Sequence, residues 1–129
     1  PVSHIMTSHV YSVKYEDSLA HVVDIFRKHN IRHLPVLRGK SIAGIISSTD
    51  IDRLTFGALF EKEDTIDQAM LEMLTIPHVM TSKLRTVSPD TSIKEVAEIF
   101  ATEHFHPLPV VSGEALKGIV TTTDVIKYM

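Results

Sequence analysis

Gly44-Ile45-Ile46-Ser47-Ser48-Thr49-Asp50-Ile51 returns as Gly118-Ile119-Val120-Thr121-Thr122-Thr123-Asp124-Val125. In each stretch an apolar β-type run ends in hydroxyls and an aspartate. The same offset, His4 onto His78, aligns the chain with itself without a gap. It lays His4-Ile5-Met6-Thr7-Ser8 on His78-Val79-Met80-Thr81-Ser82 and Leu34-Pro35-Val36 on Leu108-Pro109-Val110. Gly39 then meets Gly113. A repeat of this length marks a duplicated supersecondary unit.

Each copy carries the same local signals. Ser12-Val13 and Thr86-Val87 are short extended stretches ahead of turn residues. Asp17-Ser18 and Thr91-Ser92 are helix-start signals. Leu19, Val22, Val23 and Phe26 then recur at helical spacing, as do Ile93, Val96, Ala97 and Phe100. Leu34 to Leu37 and Leu108 to Val111 read as strands closed by turns at Gly39 and Gly113. Ile42 to Ile46 and Leu116 to Val120 read as return strands, with helices expected after Asp50 and Asp124. The order per copy is β-α-β-β-α. Residues 1–60 are expected to form the first copy, 61–77 a linker helix and 78–129 the second. In the linker, Asp64-Thr65 with Gln68 forms a cap signal, and Ile66, Ala69, Met70, Met73 and Leu74 form an apolar stripe suited to core packing or a dimer contact.

One copy is marginal alone, because so short a chain buries only about 60% of its unfolded surface. Two copies packed sheet to sheet around a pseudo-two-fold are expected to share a core and to leave a cleft on each side. The fold class is therefore α/β (α+β).

The 129 residues carry a net charge of -3 and no cysteine. This disfavours binding to nucleic acid by phosphate neutralisation and excludes disulfides and thiolate chemistry. No apolar run reaches the ~20 residues that span a bilayer. No signal peptide and a cytoplasmic location are expected. No Ser-His-Asp elbow, phosphate-binding Walker loop or His-Glu-x-x-His stretch occurs, so the chain is not expected to be an enzyme. His104-x-His106 could set two imidazoles on one side of a strand, but no cysteine or neighbouring carboxylate completes a metal site.

Two groups carry the candidate chemistry. Ser47-x-x-Asp50 and Thr121-x-x-Asp124 leave a strand and enter a helix. They can cap that helix, or the aspartate can hold a ribose diol while the hydroxyl and helix amides face a phosphate. Arg32 and His33 in one copy, and His106 in the other, precede the Leu-Pro-Val strands and can donate to a phosphate.

The sequence His-Ile-Met-Thr, then a helix, then Ile-Arg-His-Leu-Pro-Val and Gly-Ile-Ile-Ser-Ser-Thr-Asp, resembles the cystathionine-β-synthase (CBS) domain. Two in tandem resemble a Bateman module. The resemblance covers nearly the whole chain. It implies a regulatory module, often dimeric, that binds an adenosine nucleotide (AMP, ADP, ATP or S-adenosylmethionine) as a regulatory ligand and requires no other cofactor. It places ribose contacts at Asp50 and Asp124 and hydroxyl contacts at Ser47 and Thr121. Adenine-side contacts fall at Ser12, Ile31, Thr86 and Phe105, and phosphate contacts at Arg32, His33 and His106. Pro107 departs from the pattern, so the two clefts are expected to differ. Expected partners are a second copy of the chain and an effector protein or fused domain. Two other readings keep the fold: a ligand-free interaction module, and a magnesium-responsive one using Glu61, Glu63 and Asp64.

Overall fold

The structure, a computed structural model, describes residues 1–54, 73–103 and 106–129. The acidic group Glu61, Glu63 and Asp64, the predicted linker cap, and residues 104 and 105 lie outside them. No helix among the described residues is long and apolar enough to cross a membrane.

In the first repeat, β1 (Val13–Lys14) leads to α1 (Leu19–Lys28), then β2 (His33–Arg38), β3 (Ser41–Ser47) and α2 (Ser48–Leu54). A second short helix, α3 (Ile76–Val79), precedes the second repeat. There α4 (Ile93–Thr102), β4 (Pro107–Ser112), β5 (Ala115–Thr121) and α5 (Thr122–Tyr128) follow. The counterpart of β1 is a single parallel bridge, Val87 to Val110.

The helices form where the sequence caps them. The Ser18 hydroxyl accepts from the His21 amide at 3.2 Å, and that of Ser92 from the Glu95 amide at 3.1 Å. Each satisfies a backbone donor that the first helical turn leaves free. Leu19, Val22, Val23 and Phe26 of α1 are buried on one face, as are Val96 and Ile99 of α4. The hairpin turns use Gly39 at φ 65° and Gly113 at φ 62°, a region that side chains with a Cβ seldom occupy.

The chain divides into two compact units, and these do not follow the repeats. The first unit is Tyr11–Gly39 with Ala43–Ser82. The second is Pro1–Val10, Lys40–Ile42 and Lys83–Met129. In the first unit, β1 runs parallel to β2, with Val13 opposite Val36, and the sheet order is β1-β2-β3. Thr81 extends that sheet: it exchanges backbone hydrogen bonds with Ile45 at 2.8 and 3.0 Å. Ile76, fully buried, joins Leu19, Val22, Leu34, Val36, Ile46 and Ile51 in the core.

The second unit is built alike, with the N-terminus of the chain as its added piece. Thr7 exchanges backbone hydrogen bonds with Ile119 at 2.8 and 3.0 Å, and the Val2 amide donates to the Thr91 carbonyl at 2.7 Å. Val2 is fully buried with Val96, Leu108, Val110 and Val120. The leading segment of each repeat thus completes the unit built on the other repeat.

Two glycines make room for these segments. A Cβ on Gly118 would stand 2.6 Å from the Thr7 carbonyl oxygen and 2.9 Å from the Met6 sulfur. A Cβ on Gly44 would stand 2.6 Å from the Met80 sulfur and 2.9 Å from the Thr81 oxygen. Of the apolar stripe expected in the linker, Leu74 packs against the first core, but Met73 is 79% exposed.

Candidate functional site

The hairpin of β2 and β3 brings two of the sequence groups together. The Ser48 amide, just past β3, donates to the Arg32 carbonyl at 2.9 Å. Arg32 is exposed, while His33, Ser47 and Asp50 are half-buried. The Ser47 hydroxyl accepts from the Asp50 amide at 3.1 Å and caps α2. Among the described residues, no hydrogen bond reaches the Asp50 carboxylate.

The hairpin of β4 and β5 repeats the arrangement, with Pro107 opposite Thr121 and the Thr122 amide donating to the His106 carbonyl at 3.3 Å. Here the cap closes both ways. The Thr121 hydroxyl accepts from the Asp124 amide at 3.2 Å, and the Thr121 amide donates to Asp124 Oδ2 at 2.9 Å. One oxygen of Asp124 is thus held by backbone. Both helices start two residues before the aspartates, at Ser48 and Thr122, rather than after them as the sequence suggests. The hydroxyl is the cap, and the aspartate is third in the helix, where a capping box needs its acceptor.

Ser12 and Thr86 are exposed and stand just ahead of the buried Val13 and Val87. Ile31 is half-buried against the first core, and its amide donates to the His29 carbonyl at 2.9 Å. Among the described residues, neither Ser12 nor Thr86 makes a hydrogen bond to the strand–helix junctions. Phe105 lies outside the described residues. Among those described, no group of three His, Asp or Glu is placed to hold a metal ion.

Three features escape the sequence reading. Thr122 Oγ1 is buried with no hydrogen-bond partner among the described residues. Tyr11 stacks on His29, and Arg85 pairs with Glu103. The repeat offset is the signal that could have found both pairs, since it carries 11 to 85 and 29 to 103.

Both repeats of the chain are matched by known proteins. The CBS domain family model matches residues 2–56 and again 75–129. This chain belongs to the CBS domain family. It is a tandem CBS pair, and solved CBS pairs share its fold. It is similar to the CBS domain pair of protein MJ0100, solved with 5'-methylthioadenosine and S-adenosyl-L-methionine: 27% identity, TM-score 0.77, covering 98% of this chain and 93% of that one. It is also similar to CBSX2, solved with AMP, at 22% identity and TM-score 0.78, covering 98% of this chain and 93% of that one; this likeness shows the fold alone. Among curated relatives, the inosine-5'-monophosphate dehydrogenase of Korarchaeum cryptofilum is 32% identical over 118 residues, which are 90% of this chain and 21% of that enzyme. The CBS pair spans between 13% and 42% of the length of four curated relatives that it matches.

Proposed function

We propose that this CBS pair is a regulatory module that binds an adenosine nucleotide and passes a conformational change to an effector. Asp50 or Asp124 holds the ribose, with Ser47 and Thr121 beside it. Arg32, His33 and His106 face phosphate, and Ser12, Ile31, Thr86 and Phe105 line the base side. The observation that carries this reading is the backbone tie at each hairpin base, Ser48 to Arg32 and Thr122 to His106. It holds the backbone of a basic residue against the start of the helix that carries the aspartate, which supports reading the two as partners for a phosphorylated sugar. The adenosine ligands of the MJ0100 pair support the choice of ligand class. The module works in the cytoplasm as a homodimer, regulating an effector protein or a fused domain.

Thermal melting of the chain with AMP, ATP or S-adenosylmethionine tests the reading. A ligand at 100 times its dissociation constant adds about 2.7 kcal/mol to stability. Melting curves unmoved by all three ligands would overturn it.

A second reading, a ligand-free association module, is favoured by Ile126 and Tyr128 of α5 and by Met129, its C-cap, which are 64%, 61% and 92% exposed. It predicts a dimer in sedimentation whose mass is unchanged by nucleotide and lost on Ile126→Glu.

A further inference from the structure

The segment that leads into β1, and its counterpart ahead of the Val87 bridge, are each tied to the end of that repeat's first helix by one side-chain pair. In the first repeat, the rings of Tyr11 and His29 stack with centroids 3.9 Å apart and planes 23° from parallel. At the equivalent positions of the second, Arg85 Nη1 lies 3.8 Å from Glu103 Oε1. His29 and Glu103 are the C-caps of α1 and α4. Tyr11 and Arg85 directly precede Ser12 and Thr86. The Ile31 amide is bonded to the His29 carbonyl, so the ring pair joins the two chain segments that carry Ser12 and Ile31.

We propose that these pairs are positioning residues for the nucleotide base and that their different chemistry makes the two repeats unequal. This rests on the nucleotide reading above. A ring stack owes its strength to dispersion and apolar contact, which salt does not screen. The Arg85–Glu103 pair is half exposed, with side chains 48% and 37% accessible, so dissolved ions screen it. The base side of the first repeat therefore stays fixed as ionic strength rises, while that of the second loosens.

Calorimetric titration of the full chain with adenosine and, separately, ribose 5-phosphate tests this. Adenosine carries no charge, so any salt dependence of its binding comes from the protein. Wild type is expected to show one adenosine site indifferent to salt and one that weakens with it. Tyr11→Ala should weaken the indifferent site about two- to tenfold, the range a stacked pair commands, and leave ribose 5-phosphate affinity unchanged. His29→Phe keeps a stack and should keep the affinity. Glu103→Gln should weaken the second site at low salt and remove its salt dependence. If Tyr11→Ala and Glu103→Gln bind adenosine as wild type does at both salts, the proposal falls alone. It also falls if Tyr11→Ala weakens ribose 5-phosphate equally, since the pair is then only structural. If wild type binds neither adenosine nor AMP, the nucleotide reading falls and takes this proposal with it.

Discussion

At Gly118 the missing side chain makes room for the segment that carries Thr7. A methyl group there would overlap a backbone oxygen, which cannot swing aside as a side chain can. Gly118→Ala is expected to destabilise the chain by about 1–3 kcal/mol, the usual cost of overpacking, in urea unfolding. Gly44→Ala should cost somewhat less, because its nearest neighbour is the flexible Met80 side chain and the backbone oxygen it meets, that of Thr81, stands farther off at 2.9 Å. Thr122 points the other way. Its buried hydroxyl has no partner among the described residues, so Thr122→Val removes a desolvated group without opening a cavity. Stability should hold or rise by about 1 kcal/mol in the same assay. The two aspartates differ as well. Asp124→Ala breaks a capping bond and should cost about 1 kcal/mol even without ligand, whereas Asp50→Ala removes a carboxylate that no described residue engages.

At the scale of elements, the sequence is a good guide to strands and helices because their signals are local. Ser18 and Ser92 cap the helices that follow them, and the Leu-Pro-Val runs are strands. The hairpins that join Arg32 to Ser48, and His106 to Thr122, follow from glycine turns readable in the sequence. The helix starts differ from the sequence expectation because a hydroxyl and an aspartate three residues apart can each act as cap, and only the bond directions decide between them. Which unit each leading segment completes was not legible at all. His-Ile-Met-Thr-Ser and His-Val-Met-Thr-Ser are nearly the same string, and the receiving strands around Gly44-Ile45 and Gly118-Ile119 match equally well. Either segment fits either slot by composition, so the choice is made by chain path. Ile76 shows how much rests on that choice. It is fully buried in a core whose other members come from residues 13–51, and Ile76→Ala should cost about 2–5 kcal/mol in denaturant unfolding.

For the whole molecule, neither repeat is a self-contained folding unit. Residues 11–54 lack the Ile76–Thr81 segment, and residues 83–129 lack Val2 and Thr7. Val2→Asp, at the far N-terminus, should therefore disturb the second unit first. Amide exchange is expected to accelerate at Ile119 and along β4 and β5, while the amides of β2 stay protected; uniform acceleration throughout the chain would count against the division.

The crossed segments also constrain any ancestor that carried the motif once. A lone copy has a hole where Val2 or Ile76 belongs and a loose arm shaped to fill the same hole in its sibling. Such a chain can complete itself by trading arms with another molecule. Fusing two copies in one gene turns that exchange between molecules into one within a molecule, so dilution no longer undoes it.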